Sequence, residues 1–209
     1  FYHFTVAQSV ISNWNFNSVP PDASTSTGSI LPTIGNGTVV NVGGTSSSFA
    51  SGESNAGSSD PVTTDDSGWG LSTWPTQGTS DKTAGFQFTV STVGHSDIIV
   101  SFDLRHSNTG PRHFQFQYCL DATLPTPVWV NFSLDSALAG DAWVSRNYNL
   151  STIPALNNNA NASFRVLATF QPLTNTYKAA TTTSNYSTSG TWRLDMLSVK
   201  GTSSAGDIN

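Results

Sequence analysis

IIVSFDLRHSNTGPRHFQFQYCL, residues 98–120, decides how the rest of the chain is read. Ile98, Val100, Phe102 and Leu104 alternate with Ile99, Ser101, Asp103 and Arg105. After an interruption, Phe114, Phe116, Tyr118 and Leu120 alternate with Gln115, Gln117 and Cys119. Period-two alternation marks strands with one buried face. Between the two runs lie Ser107, Asn108, Thr109, Gly110 and Pro111, a cluster of turn formers. Gly110 is free to take a positive φ and Pro111 cannot donate to a ladder. The stretch predicts an antiparallel hairpin at the centre of a β-sandwich. Arg105, Ser107, Thr109, Gly110 and Pro111 are its structural set, with Arg105 bracing the turn or pairing with Asp103 or Asp195.

Outward from this hairpin the pattern stays β. Runs at 85–93, 128–134, 143–150, 163–170 and 191–200 read as strands, with shorter ones at 29–34 and 38–42. Phe88, Phe102, Phe116, Phe164 and Trp192 are the expected core. No segment carries three- and four-residue apolar spacing beyond about two turns, so helices are not expected. Residues 46–68 have few apolar anchors and read as a long loop. No repeat and no linker divides the chain. An all-β, antiparallel, jelly-roll-like sandwich is expected over 11–209, opening with a strand at 11–18.

Residues 1–10 precede that strand and place Tyr2, Phe4, Val6 and Val10 on one face. Ten such residues are not a polar tail. An exposed apolar row invites pairing, so they read as an N-terminal β arm that needs a groove. Docked in a neighbouring subunit, the arm makes a head-to-tail contact and hence an open filament. Folded back, it becomes an extra strand of its own sheet. The short pivot at Ser12 and Asn13 favours the neighbour.

Composition limits the alternatives. Only 10% of the 209 residues are charged, the net charge is −5, and the eight Lys and Arg are scattered. This gives no basic stripe for nucleic acid, and no apolar run is long enough to insert in a membrane. Ser and Thr number 58, which suits an extracellular or cell-surface protein with an inert polar surface. The first residue, Phe1, fits a processed product. Cys119 is the single cysteine, so no intrachain disulfide forms. Sequons at Asn36, Asn131, Asn149, Asn161 and Asn185 permit glycosylation, but about five arise by chance at these Asn, Ser and Thr frequencies.

The motifs that carry chemistry are sparse. Asp103, Asp121, Asp135 and Asp195 offer carboxylate pairs of the kind glycosidases use, as twelve aspartates would by chance. No Gly-x-Ser-x-Gly elbow is present, and no catalytic residues are expected. His106 and His113 read as solvated ends of the hairpin, with no third ligand for zinc. Asp60, Asp65, Asp66 and Asp81 match no calcium spacing and read as solvated loop acids. Neither metal nor cofactor is expected. Trp69 and Trp74, in a polar stretch, are the candidates for stacking on sugar rings; the alternative for Trp69 is that it plugs one end of the sandwich.

In order along the chain, Trp14-Asn15-Phe16-Asn17, Gly68-Trp69, Phe86-Gln87-Phe88-Thr89-Val90, the Arg105-x-Ser107-x-Thr109-Gly110-Pro111 run, Leu120-Asp121 and Gly190-Thr191-Trp192-Arg193-Leu194-Asp195 resemble a largely uncharacterised family. Its members are bacterial secreted β-sandwich domains found in surface-anchored proteins. The resemblance implies a jelly-roll-like sandwich similar to carbohydrate-binding modules and no particular activity. Two functions are therefore expected in turn: a structural subunit that polymerises with itself by donating its arm, or a secreted module that binds polysaccharide.

Overall fold

A computed structural model describes residues 8–53, 56–137 and 139–204. Among these residues the chain forms β1 (Gln8–Trp14), β2 (Ile34–Gly35), β3 (Thr38–Val42), β4 (Ser46–Ser51), β5 (Ser67–Ser72), β6 (Gly85–Val90), β7 (His95–His106), β8 (His113–Cys119), β9 (Val130–Ser136), β10 (Ala142–Asn149), β11 (Ala162–Thr169) and β12 (Trp192–Ser203). A 3-10 turn at Pro154–Leu156 is the one helical element among the described residues. Two antiparallel sheets face each other. The first runs β10-β7-β12-β1-β2 and the second β3-β6-β11-β8-β9.

β12 is the axis of the first sheet. Along one edge it pairs with β7; along the other its first half meets β5 and its second half meets β1. β4 closes the sheet beyond β5. The alternation read in the sequence delivers the core. Ile98, Val100, Phe102 and Leu104 of β7 face Phe86, Phe88, Phe114, Phe116, Phe164 and Val166 of the second sheet, and all are at most 1% exposed. Phe116 stacks on Tyr148 with centroids 4.1 Å apart and planes 8° apart. Each such side chain contributes roughly 1.5–3 kcal/mol of burial free energy.

The expected central hairpin does not form. β7 and β8 lie in opposite sheets, and neither pairs with the other. Period two reports which face of a strand is buried, and facing sheets bury the same faces as a paired hairpin would. Residues 107–112 cross the roughly 10 Å between sheets. His106 Nδ1 and Trp192 Nε1 both donate to Pro111 O, at 2.7 and 2.8 Å, and anchor the crossing from the first sheet. Ser107 Oγ accepts from Thr191 N–H at 2.7 Å, and Thr109 O accepts from Ser187 N–H at 3.0 Å. Gly110 does not use a positive φ; it is needed because a Cβ there would sit 2.7 Å from Thr191 O. Arg105 pairs with Asp141 at 2.7 Å, not with Asp103 or Asp195. Past Phe116 the expected core face fades: Tyr118 is half-buried and Leu120 is 40% exposed.

Three further expectations change. Residues 46–68 are not one long loop, because β4 and the start of β5 pair there from Ser46↔Ser72 to Ser51↔Ser67. The boundary between arm and first strand is absent: β1 runs unbroken from Gln8 to Trp14 on its own β12, with a bulge between Val10 and Ser12. Ser12 and Asn13, expected as a pivot, are paired with Val199 and Ser198. Val10 lies opposite Lys200 and is 39% exposed in the single chain. Tyr2, Phe4 and Val6 lie outside the described residues. Among the described residues no helix is long and apolar enough to cross a membrane.

Candidate functional site

Trp69 and Trp74 do not offer faces to a sugar. Trp69 is 2% exposed on β5, stacked on Phe16 at 5.8 Å. Trp74 is 3% exposed, 4.4 Å from Trp192, and its Nε1 donates to Gly190 O at 2.8 Å. Their polar neighbours in sequence suggested a loop. In the fold, Ser67–Ser72 is an interior strand, and its glycines make room: a Cβ on Gly68 would meet Arg193 Cγ at 2.7 Å.

The outer face of the second sheet carries a polar row instead. Val40, Gln87, Arg165, Gln117 and Asn131 stand side by side across its five strands, on β3, β6, β11, β8 and β9. The alternation that turns Phe88, Phe164 and Phe116 inward turns these residues outward. Arg165 Nε donates to Gln117 Oε1 at 2.5 Å, and Gln117 Nε2 donates to Asn131 Oδ1 at 2.6 Å. The Arg165 guanidinium also lies 4.0 Å from the ring centroid of half-buried Trp129. Such a contact is worth about 0.5–1 kcal/mol at an exposed site. Desolvation lowers the Arg165 pKa to about 10, so the group remains a cation at neutral pH. Beside this row, Thr89 and Ser163 share a hydrogen bond of 2.7 Å and Gln115 Nε2 donates to Ser133 O at 2.7 Å. Gln117, 6% exposed, lies beneath and links Arg165 to Asn131, while half-buried Gln87, Arg165 and Trp129 and exposed Asn131 present hydrogen-bonding groups and an indole to solvent.

Of the acids expected to be solvated, Asp65 and Asp66 are buried and Asp60 and Asp81 are half-buried. Asp65 accepts from the N–H groups of Ser18 and Asp22, and Asp81 from Thr169 Oγ1 and the Phe170 N–H. One oxygen from each of Asp60, Asp66 and Asp195 lies within 4.8 Å of the others. Asp66 and Asp195 are fully buried. Asp195 accepts from Ser58 Oγ and the Met196 N–H, both at 2.7 Å, at a bulge where Met196 takes a φ of 48°. Asp60 accepts from Asn17 Nδ2 at 2.8 Å. Both carboxylate oxygens of Asp66, and Oε1 of Glu53, are buried without a partner. Burial pushes Asp195 up to about 8 and Asp66 up to about 7, the latter with Glu53 and the other acids adding to the rise. Asp66 and Asp195 are closed off from solvent and so do not line an open cleft of the kind in which glycosidase carboxyl pairs work.

His106, expected at a solvated end, is 2% exposed between Phe114 and Trp192. Its burial lowers its pKa to about 3. His113 is half-buried beside Arg112 and Lys178 in a cleft of about 410 Å³. The two are not joined in a metal site. Of the sequons, Asn36, Asn131, Asn149 and Asn185 are exposed and Asn161 is half-buried.

No family model matches this sequence, and no curated protein matches it. Solved structures do. The first family 22 xylan-binding domain of Paenibacillus barcinonensis Xyn10C matches with a TM-score of 0.51 at 10% identity, over 95% of this chain and 98% of that one. The tandem of both such domains from the same protein matches with 0.52 at 10% identity, over 99% and 49%. A Clostridium thermocellum xylanase 10B chain, which joins a family 22 module to a GH10 module, matches with 0.47 at 14% identity. This chain covers 27% of that length. At these identities the likeness is one of fold, and this chain shares the β-sandwich architecture of the two Paenibacillus structures.

Proposed function

We propose that this chain is an extracellular, non-catalytic module that binds polysaccharide on the outer face of its second sheet. The observation that carries the reading is the Arg165–Gln117–Asn131 row braced against Trp129. Pre-joined amides hold their donors in place before a ligand arrives, which lowers the cost of ordering them on binding. The fold likeness to xylan-binding domains supports the class and makes xylan the first ligand to test. Self-assembly by strand donation has no such support, because β1 lies along its own β12 from Gln8 onward.

The test is retention on insoluble xylan and cellulose, with affinity electrophoresis in soluble xylan and mixed-linkage glucan. The intact protein is expected to be retarded by at least one. Trp129→Ala and Gln117→Ala are expected to weaken that binding about tenfold or more, with far-UV circular dichroism unchanged. Binding that is undiminished in Trp129→Ala, or no binding to any of the four, refutes the assignment.

A further inference from the structure

We propose that the cleft bounded by Arg112, His113 and Lys178 takes the anionic group of an acidic saccharide, a carboxylate or a sulfate ester borne on a sugar ring. The inference rests on the polysaccharide reading and narrows its ligand, since a chain bound on the second sheet would place charged units here.

The first ground is a pair of cations left without an anion. The chain has a net charge of −5 and only eight Lys and Arg, yet Arg112 and Lys178 stand together. Pro111 and Ala179 form an antiparallel bridge, and the Arg112 N–H donates to Lys178 O at 2.8 Å. Arg112 and Lys178 are thus directly opposite, and like charges in that position destabilise a strand pair. Among the described residues neither enters an ion pair, in contrast to Lys82, Arg105 and Arg146. No described carboxylate lines the cleft. The neighbouring acids are engaged elsewhere, Asp135 with Arg146 and Tyr148, and Asp141 with Arg105 and Asn108. An anion between the two cations relieves their repulsion, and a guanidinium receives an oxyanion through paired N–H donors.

The second ground is that the cleft is built before a ligand arrives. The Ala137 N–H donates to Arg112 O at 2.8 Å, and the N–H groups of Ala180 and Thr181 donate to Gly110 O and Asn108 O at 3.0 and 3.1 Å. Thr181 Oγ1 adds a bond of 2.6 Å to Asn108 Oδ1. These bonds hold residues 178–181 and the end of β9 against the crossing between sheets, so little backbone freedom is lost on binding. The volume, about 410 Å³, lies in the range of small-ligand sites. Gln171, Ser136 and Ser184 add an amide and two hydroxyls to the lining. Cations beside amide and hydroxyl groups match an oxyanion on a hydroxylated ring better than a bare inorganic ion.

The third ground is position. The alternation that turns Phe114 and Phe116 into the core turns His113, Gln115 and Gln117 to the outer face of β8. Four residues of strand, about 13 Å, separate His113 from Gln117. A saccharide chain lying along β8 therefore reaches both the Arg165–Trp129 pair and the cleft. Burial and the Arg112 charge hold the His113 imidazole below its usual pKa. At neutral pH it is an uncharged partner for a sugar hydroxyl, and Arg112 and Lys178 supply the charge.

The experiment titrates the full chain at neutral pH with glucuronate and with glucose 6-sulfate, using glucose and inorganic sulfate as controls, and follows the His113 imidazole resonances. A saturable shift is expected with at least one sugar anion, with glucose binding at least tenfold more weakly, and the arm that responds identifies the anion. Arg112→Gln and Lys178→Gln should each lower that affinity at least fivefold. Lys200→Gln, which removes one charge from β12 of the first sheet, should leave it unchanged. The readout sits in the cleft and is separate from retention on xylan. A cleft response in a protein that no neutral polysaccharide retains supports the cleft and refutes the sheet surface alone. Xylan retention with no cleft response overturns this proposal alone. So does a shift that Arg112→Gln and Lys178→Gln leave unchanged, or inorganic sulfate binding as tightly as either sugar anion.

Discussion

His106→Phe should abolish a large part of the acid sensitivity of this fold. The imidazole is buried between Phe114 and Trp192, with Arg146 and His113 as the charged groups that oppose its protonation. Its Nδ1–H is committed to Pro111 O, and its Nε2 is buried with no partner. A proton arriving at Nε2 would create a buried cation with nothing to receive it. The unfolded chain takes that proton near 6.5, whereas the folded chain takes it at about 3. Between those values the unfolded state binds more protons, so stability falls as pH falls. At about 1.4 kcal/mol per pH unit, roughly 4–5 kcal/mol is lost on this account by pH 3. Phenylalanine keeps a ring in the same space. It removes the orphaned Nε2, and Pro111 O keeps its bond from Trp192 Nε1. The variant should therefore lie within about 1 kcal/mol of wild type at pH 7 and gain on it steadily below pH 6.5. Guanidinium midpoints of both proteins from pH 7.5 to 3.5 measure the difference, in which the carboxylates common to both cancel. Imidazole carbon–proton correlation spectra give the same answer directly, with His106 neutral down to pH 4. A difference that stays flat across this range, or a His106 titration midpoint above pH 5, refutes the reasoning.

Two other outcomes follow from the core. Phe116→Ala removes a fully buried ring stacked on Tyr148 and Phe164 and should cost about 3–5 kcal/mol in denaturant unfolding; a loss below about 1 kcal/mol would mean that the two sheets do not meet there. Trp74→Phe strips the donor from Gly190 O and should cost about 1–3 kcal/mol while leaving retention on polysaccharide unchanged, which separates a core tryptophan from a sugar platform.

What the sequence disclosed and withheld follows from the range of each signal. Alternation is local, so Phe88, Phe102, Phe116, Phe164 and Trp192 were legible as core, and all five are. Pairing is not local, so nothing in residues 98–120 told a hairpin from a crossing between sheets. β4 and β5 were hidden because SSSFAS and SGWGLS lack alternation and carry residues of low strand preference. Gly68 and Gly52 serve close approach, which is a property of the partner and not of the stretch itself. The carboxylate cluster was hidden for the same reason. Asp66 and Asp195 come from distant parts of the chain and meet only once β5 and β12 are paired. The Arg165–Gln117–Asn131 row was overlooked although its residues were recognisable as the polar phase of the very strands that supplied the core.

The position of β12 has a consequence for how the chain reaches this state. Among the described residues, the strand that joins β7, β5 and β1 is the last of the twelve in chain order. Until residues 192–203 are available, β1 has only the two-residue β2 beside it, and β5 has only β4. Loop closure over nearly the whole chain must precede the contacts that reward it, and topologies of this kind fold in milliseconds to seconds or longer. A polypeptide interrupted before Trp192 would expose the edges of β7, β5 and β1 together. The first sheet is therefore completed only when β12 joins it, and a nascent chain remains open to chaperones and proteases until then.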